Sequence, residues 1–311
     1  PSINREHRGD VQALRAVAVI LVILYHLKII KGGFLGVDIF FVISGYVITL
    51  NLSRSQGSLK EKLTKFYLRR AKRILPSSLV VVILTALLTK LFLAPIYQGR
   101  FRIDALWSSL MSANIGFGLH GLDYLQATTS PSPFLHYWSL GVEEQFYIIW
   151  PLIFFLFIVK RNTKIFAILL PATIAVALIT TALFPVFSFY LPTSRAFQFL
   201  LGASLVAFAS AKKNRTLISL VGWVGLFASA LLISDTAANP NKYSLIPTIA
   251  AALVIYADSK LLTFKSMQFI GEVSFTLYLV HWPIILLLGN GTQEINGTKI
   301  VVALLLMALA T

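Results

Sequence analysis

The chain has 311 residues and a net charge of +15; 57% of its residues are hydrophobic and only 13% are charged. Soluble domains carry about 25% charged residues, so the composition, with apolar runs recurring to the end of the chain, excludes an ordinary soluble protein. The absence of cysteine excludes disulfides and thiolate metal sites. The five histidines show no metal-ligand spacing, so we expect no metal. We attribute the positive charge to membrane orientation rather than to nucleic-acid binding.

The apolar runs predict an all-α fold, a polytopic membrane helical bundle of about ten transmembrane helices with one short re-entrant or interfacial segment. In chain order the predicted spans cover residues 11–30, 34–53, 76–97, 135–159, 165–184, 195–211, 216–234, 244–257, 272–289 and 299–311. Segment 105–119 is short, and we interpret Gly116 and Gly118 as breaks in a re-entrant helix. The last apolar run stops at Thr311. We therefore expect a single integral-membrane domain over residues 1–311 that is C-terminally truncated.

The loops between the predicted spans differ in charge. One set carries 18 Lys and Arg residues and the opposite set carries 7, with the largest group in the basic loop 53–73. Basic residues collect on the cytoplasmic side of membrane proteins. The bias predicts a multi-pass protein with a cytoplasmic N-terminus.

Arg15 and His26 are ionisable side chains in the first predicted span. Such groups are costly inside a membrane and are often functional. The two are eleven residues apart, which is nearly three helical turns, so both point to one face and lie about 16 Å apart along the axis. An interfacial arginine and a packing histidine would explain each residue alone, but the shared face favours a functional pair.

The second predicted span carries Asp38 in the glycine-rich run GGFLGVDIFFVISGY. Close helix packing explains the glycines better than it explains Asp38. Because Asp38 lies in the same outer half as His26, we treat it as a catalytic candidate. Ser44 has the chemistry of a nucleophile, but serine is common at helix interfaces, and we favour a packing role.

The fourth predicted span begins FLHYWSLGVEEQFY, with adjacent glutamates at Glu143 and Glu144. Adjacent residues on a helix point in different directions, so we expect at most one of them to face a cavity that contains His26. His136 and Trp138 mark the outer interface. An aromatic belt explains Trp138 without function, and contact with an acceptor is the functional alternative.

The sixth and ninth predicted spans carry further ionisable groups. Arg195 opens the sixth span at the outer membrane edge, where a guanidinium suits an anionic or polyhydroxyl acceptor; a snorkelling interfacial arginine is the alternative. His281 lies in mid-span and is followed by Trp282 and Pro283, and such a proline often kinks a helix.

The polar residues form two groups along the membrane normal. The inner group is basic, which suits a polyphosphate donor, and comprises Arg15, Arg69, Arg70 and Arg73. The outer group suits deprotonation of a hydroxyl and comprises His26, Asp38, Glu143 and His281. Together they predict a reaction that joins two compartments.

Five motifs occur in order along the chain: Arg15-x10-His26, GVDIFFVISGY at 36–46, Arg70-x-x-Arg73, WSLGVEEQFY at 138–147 and SFTLYLVHWP at 274–283. Together they resemble the acyltransferase-3 family, which includes bacterial O-antigen O-acetyltransferases and related enzymes that modify exopolysaccharide and peptidoglycan. Each motif is weak alone, but five in order are specific, and they cover nearly the whole chain.

The resemblance implies a ten-helix core in the bacterial inner membrane. It implies acetyl-CoA or another acyl-CoA as the cytoplasmic donor, and a lipid-linked or surface glycan, such as the lipopolysaccharide O-antigen, as the acceptor. It matches Arg15 and His26 to the family's essential pair, and Arg70 and Arg73 to a cytoplasmic loop implicated in donor handling. Some members continue into an extra helix and a periplasmic SGNH hydrolase-like domain, which would lie beyond Thr311.

As a mechanism we expect the inner arginines to hold the CoA phosphates and His26 to act as general base, oriented by Asp38 or Glu143; a transient acyl-His26 is the other hypothesis. Three alternative functions are a secondary transporter, a non-catalytic membrane scaffold and a different membrane acyltransferase fold with an Asn/His pair. We see no internal repeat of the kind that transporters show, and the Arg15-x10-His26 spacing argues against the last alternative.

Overall fold

The computed structural model describes residues 8–93, 98–120, 131–158, 164–208, 215–234 and 242–311. Within these ranges the chain forms helices and turns, with no strand. The α-helices in chain order are α1 (Gly9–His26), α2 (Gly36–Ser53), α3 (Leu59–Phe92), α4 (Gln98–Ser109), α5 (Ala113–Leu119), α6 (Tyr137–Ile153), α7 (Lys164–Leu183), α8 (Pro185–Tyr190), α9 (Pro192–Phe208), α10 (Arg215–Leu232), α11 (Leu245–Ala257), α12 (Lys265–Leu288) and α13 (Gly297–Leu309). Short 3₁₀ helices cover Gly33–Leu35 and Lys242–Ser244, and a π-helix covers Phe154–Ile158.

The predicted all-α polytopic bundle is confirmed. Each of the ten predicted spans coincides with a helix: α1, α2, α3, α6, α7, α9, α10, α11, α12 and α13. In the described part of the chain, seven helical stretches are long and apolar enough to cross a membrane, and α11 and α13 are shorter apolar helices. The predicted basic-loop residues Arg5, Lys160, Arg161, Lys212 and Lys213 lie outside the described residues.

Two helices, α1 and α2, form the centre of the bundle. In the most apolar window of α2, 83% of the residues are buried, against 11% in that of α7. The long α3 exposes a row of apolar side chains, among them Leu84 and Leu91. Exposed apolar rows on peripheral helices are what contact with lipid tails requires.

Glycine allows the central helices to approach closely, as the sequence of the second span predicts. A Cβ atom at Gly45 on α2 would lie 1.9 Å from the carbonyl oxygen of Phe199 on α9. A Cβ atom at Gly271 on α12 would lie 2.2 Å from the carbonyl oxygen of Gln12 on α1. Both contacts leave room for a hydrogen atom only, so these glycines fix α9 and α12 against the centre.

The segment predicted as a basic loop, 53–73, is helical from residue 59, and the expectation of a loop is wrong. Ser58 and Glu61 form a capping box at the start of α3, which satisfies the first backbone amides of the helix. The helix then runs for 34 residues, about 51 Å at 1.5 Å per residue, which exceeds the ~30 Å hydrocarbon layer. The arginines therefore project from an extension of a membrane helix rather than from a flexible connection.

Segment 105–119 is broken, but not at its glycines. Helix α4 ends at Ser109 and α5 begins at Ala113, and Met111 between them has a left-handed φ of 52°. Gly116 lies inside α5, where a Cβ atom would lie 2.6 Å from the Trp107 side chain. The glycine serves a close contact between the two short helices, and the turn before α5 makes the break.

Candidate active site

A small cavity lies among α1, α2, α3, α6 and α12. Its volume is about 50 Å³, and its polar lining comprises Arg15, Ser44, Arg70, Arg73, Ser139, Glu143, Ser274 and Tyr278. Three of the four arginines predicted to bind the donor thus come together. The fourth, Arg69, is exposed and outside the lining, because Arg70 and Arg73 share a face of α3 at i,i+3 spacing and Arg69 points elsewhere.

Arg70 is held by both adjacent glutamates of α6. Its Nε atom donates to Glu144 Oε1 at 3.0 Å, and its Nη2 atom lies 3.6 Å from Glu143 Oε1. Its guanidinium carbon also lies 3.6 Å from the centroid of the Tyr147 ring. Glu143 lines the cavity and Glu144 does not, as the sequence predicts for adjacent helical residues. The contacts fix Arg70 in one orientation, with its charge balanced.

Arg15 and Arg73 complete the basic part of the lining. No carboxylate among the described residues lies within ion-pair distance of either. The Nε atom of Arg15 is buried and has no hydrogen-bond partner in the described part of the chain. Leaving a buried donor unsatisfied is costly, so Arg15 is suited to an anionic ligand. Arg73 is exposed and adds a second positive charge beside it.

Ser44 lines this cavity, and the packing role that the sequence favours for it stays a prediction. Its hydroxyl donates a hydrogen bond to Glu143 Oε1, and the Tyr147 hydroxyl donates to the same oxygen. The hydrogen bond between Ser44 and Glu143 could not be predicted from the sequence, because the two residues are 99 positions apart. A serine hydroxyl and a carboxylate thus face the same space as the arginines.

A second group of polar residues, the histidine cluster (His26, His136 and His281), lies beside the cavity. The ring centroids of His26 and His281 are 5.2 Å apart, and those of His136 and His281 are 5.6 Å apart. The Trp282 ring packs on His26 at 4.4 Å. All three histidines are buried. The described residues contain no group of three or more His, Asp or Glu side chains arranged to hold a metal ion.

Backbone carbonyls set the tautomers of two of these histidines. His281 Nδ1 lies 2.6 Å from the carbonyl oxygen of Tyr278, and His136 Nε2 lies 3.0 Å from that of Leu279. A carbonyl only accepts, so each of these nitrogens carries the proton. The lone pairs of His281 Nε2 and His136 Nδ1 are left without a partner among the described residues, and each is able to accept a proton.

His136 is the member of the cluster that sequence reasoning missed. It precedes α6, and the sequence predicts it as a marker of the outer interface; the structure buries it against α12. Its spacing from the other histidines carries no signal, because tertiary packing alone brings it there. The neighbouring aromatic residues Tyr137 and Trp138 are also buried.

Arg15 and His26 both face α12, as their spacing predicts. Arg15 shares the cavity lining with Ser274 and Tyr278, and His26 packs against His281 and Trp282. The face between them is not an open channel, however, because Tyr278 lies between the two groups.

Tyr278 contacts both the cavity and the histidine cluster. Its ring centroid is 5.3 Å from that of His281 and 5.8 Å from that of His136. Its hydroxyl is 2.6 Å from Ser139 Oγ and donates to the His136 carbonyl oxygen at 3.0 Å. Tyr278 and Ser139 therefore form a wall, and a ligand that reaches from one group to the other has to displace it.

Asp38 and Arg195 form a buried ion pair. Arg195 Nη1 lies 3.0 Å from Asp38 Oδ1, and both side chains are only 1% exposed. The guanidinium carbon of Arg195 lies 5.3 Å from the Trp138 ring and 4.9 Å from the Phe189 ring. A desolvated aspartate needs a countercharge, and the aromatic rings enclose both charged groups. The placement of Arg195 and Trp138 at the outer membrane edge stays a prediction.

The two carboxylates expected to orient His26 are thus held by other groups. Asp38 pairs with Arg195, and Glu143 accepts from Ser44 and Tyr147. The structure brings His26 together with histidines instead. Asp38 and Arg195 lie within the packed interior, and their contribution to acceptor binding or catalysis stays a prediction.

Known proteins resemble this chain over most of its length. The acyltransferase-3 family profile, described as an acyltransferase domain, matches residues 8–311. The chain is 31% identical to the peptidoglycan O-acetyltransferase OatA of Listeria monocytogenes, over 91% of this chain and 50% of that protein. It is also 31% identical to the putative peptidoglycan O-acetyltransferase YrhL of Bacillus subtilis, over 94% of this chain and 51% of that protein.

A third relative is the O-acetyltransferase OatA of Staphylococcus aureus, 31% identical over 89% of this chain and 50% of that protein. The chain therefore spans about half the length of the curated relatives it matches. No solved structure matches it significantly. Because the family profile covers all but the first seven residues, the chain belongs to the acyltransferase-3 family.

Proposed function

We propose that the chain transfers an acyl group, most simply acetyl, from cytoplasmic acyl-CoA to a hydroxyl of a bacterial cell-surface glycan. The names of the relatives support O-acetyl transfer, and two of them name peptidoglycan. They favour a peptidoglycan-like acceptor, whether polymer or lipid-linked precursor, over the lipopolysaccharide O-antigen that the sequence motifs suggested.

We place the chain in the bacterial inner membrane with the N-terminus in the cytoplasm. The charge bias between the loops, 18 basic residues against 7, supports this orientation. Helix α1 then begins at the cytoplasmic side and ends at His26 near the outer side. The basic half of α3 lies toward the cytoplasm, where an acyl-CoA is available.

The observation that carries the proposal is the placement of Arg15 and His26 along one helix interface. Arg15 lines a cavity with Arg70 and Arg73, and arginine is well suited to the phosphates of CoA. His26 lies farther along α1 among histidines whose neutral tautomers are fixed. The interface thus joins a phosphate-binding group to a proton-accepting group.

In the transfer step His26 takes the proton of the acceptor hydroxyl, and the hydroxyl oxygen attacks the acyl carbonyl carbon. His281 supplies a second lone pair next to His26, onto which a proton is able to move. Tyr278 and Ser139 separate the cavity from His26, so an acyl chain that reaches His26 has to displace them.

A genetic complementation experiment tests the proposal. Cells that lack the gene receive the wild-type gene, the His26→Ala variant or the His120→Ala variant, and mass spectrometry measures O-acetyl esters on the surface glycan. His120 is exposed and serves as the matched control. We expect esters with wild type and His120→Ala, and none with His26→Ala. Equal O-acetylation by His26→Ala, or no change on deleting the gene, refutes the proposal.

A further inference from the structure

Among the described residues, Ser44 is the one aliphatic hydroxyl of the cavity lining that forms a hydrogen bond with a carboxylate. It lies in mid-helix on α2, half-buried, and lines the cavity with Arg15 and Arg70. Its hydroxyl donates to Glu143 Oε1. Ser139 and Ser274 also line the cavity, but they bond to Tyr278 and to the Gly271 carbonyl oxygen respectively.

Glu143 is positioned to act as a base toward Ser44. Tyr147 donates to the same carboxylate oxygen, and Arg70 lies 3.6 Å away, so the carboxylate has one fixed orientation. Its side chain is 17% exposed and borders the cavity. A hydroxyl bonded to a base that a third group holds in place is the arrangement of an activated nucleophile.

The wall formed by Tyr278 and Ser139 indicates at which stage of the reaction Ser44 and Glu143 would act. Ser44 lies on the same side of the wall as the arginines, whereas His26 lies against His281 beyond it, so a thioester that enters the cavity meets Ser44 before it meets His26. We propose that Ser44 is a nucleophile that accepts the acyl group from the donor and holds it as an ester before it passes to the glycan. This inference rests on the proposed function and deepens it.

The two half-reactions balance as follows. Ser44 Oγ attacks the thioester carbonyl carbon, the new C–O bond forms and the C–S bond breaks; the serine proton passes to Glu143 and then to the departing CoA thiolate. In the second half, the acceptor oxygen, deprotonated by His26, attacks the acyl-Ser44 carbonyl carbon. The bond between the acyl carbon and Ser44 Oγ breaks, and the proton that His26 took from the acceptor passes to Oγ and restores the Ser44 hydroxyl.

An isotope-exchange measurement separates the two halves. The protein in lipid nanodiscs is incubated with acetyl-CoA and radiolabelled free CoA, without any acceptor, and the label that enters acetyl-CoA is followed. The variants are Ser44→Ala, Ser44→Cys, His26→Ala and Ser53→Ala; Ser53 is an exposed serine of the same helix and serves as the control. Peptide mass spectrometry of the His26→Ala protein then locates any covalent acetyl group.

We expect exchange with wild type, Ser53→Ala and His26→Ala, loss of exchange with Ser44→Ala, and an acetyl ester on Ser44 in the His26→Ala protein. The cysteine variant retains a nucleophile, so acetylation of that cysteine shows that the site is intact. Exchange that survives Ser44→Ala, or loss of exchange with His26→Ala, overturns the inference. Acetyl transfer to glycan without any exchange refutes the acyl-serine alone, whereas no acetyl-CoA turnover by wild type refutes the proposed function together with it.

Discussion

The imidazole rings of His26 and His281 lie 5.2 Å apart, centroid to centroid, across the interface between α1 and α12. Close packing at Gly271 brings the two helices to this distance. The Nδ1 proton of His281 is committed to the Tyr278 carbonyl oxygen, which turns the other nitrogen of the ring into an acceptor. The pair therefore suits movement of a proton away from an acceptor hydroxyl.

Replacing His281 tests its part in this proton transfer. The His281→Asn variant keeps a hydrogen-bond donor for the Tyr278 carbonyl but lacks the second ring nitrogen. We expect kcat for acetyl transfer to fall by about 10²-fold, the lower range for loss of acid–base catalysis, with KM for acetyl-CoA unchanged. Steady-state kinetics in nanodiscs measures both. A normal kcat, or a change confined to KM for acetyl-CoA, contradicts the assignment.

Replacing Arg73 tests the phosphate-binding role of the cavity. Arg73→Gln removes one of the charges that line it, and charged hydrogen bonds contribute about 1.5–3 kcal/mol. We therefore expect KM for acetyl-CoA to rise by roughly 10- to 100-fold. The neighbouring Lys72 is exposed and does not line the cavity, so Lys72→Gln is the matched control. Equal effects of the two substitutions would indicate a general charge effect rather than a site.

Substitutions in the buried ion pair of Asp38 and Arg195 test whether Arg195 stabilises the fold or binds the acceptor. Arg195→Met leaves the Asp38 carboxylate buried without its countercharge, and we expect it to lower the free energy of unfolding by about 3–5 kcal/mol. The double variant Asp38→Asn/Arg195→Met removes that charge, so it is expected to be less destabilised than the single one. Thermal unfolding in nanodiscs measures the difference. A stable Arg195→Met protein with a raised KM for the glycan would instead support the acceptor-binding prediction.

Close packing at Gly45 predicts a stability effect without any change in chemistry. In Gly45→Ala the new methyl group meets the Phe199 carbonyl oxygen, and overpacking of this kind costs typically 1–3 kcal/mol. Gly297 lies in α13 with nothing within 4 Å of an added Cβ atom, so Gly297→Ala is the control. A lowered midpoint of thermal unfolding for Gly45→Ala alone is the expected result; indistinguishable midpoints would show that α2 and α9 separate freely.

Helices were predictable from the sequence because each span is a long apolar run, and hydrocarbon leaves the backbone few alternatives. The shared face of Arg15 and His26 was predictable for a similar reason, since the period of a single helix sets it. The basic segment before the third span was misjudged because its many lysines and arginines look like a loop. Its capping signal, Ser58 with Glu61, was present and would have indicated the helix.

The contacts between side chains of different helices could not be predicted from the sequence. Asp38 and Arg195 are 157 residues apart, and nothing local favours Arg195 over His26 as the partner of the aspartate. The sequence likewise predicts the outer interface for His136, which lies among aromatic residues, and packing for Ser44, because serine is common at helix interfaces. Their places in the site depend on how α6 and α12 pack on α1 and α2.

The central claim is that one helix interface carries an acyl group from the cytoplasmic side to a glycan on the other side. Sealed proteoliposomes loaded with soluble peptidoglycan fragments, with acetyl-labelled acetyl-CoA added outside only, test it most directly. Labelled O-acetyl esters on the enclosed fragments, formed by wild type and absent with His26→Ala, are the predicted result. Esters formed equally by the His26→Ala protein, or labelled acetyl-CoA that crosses unchanged without ester formation, would contradict the account.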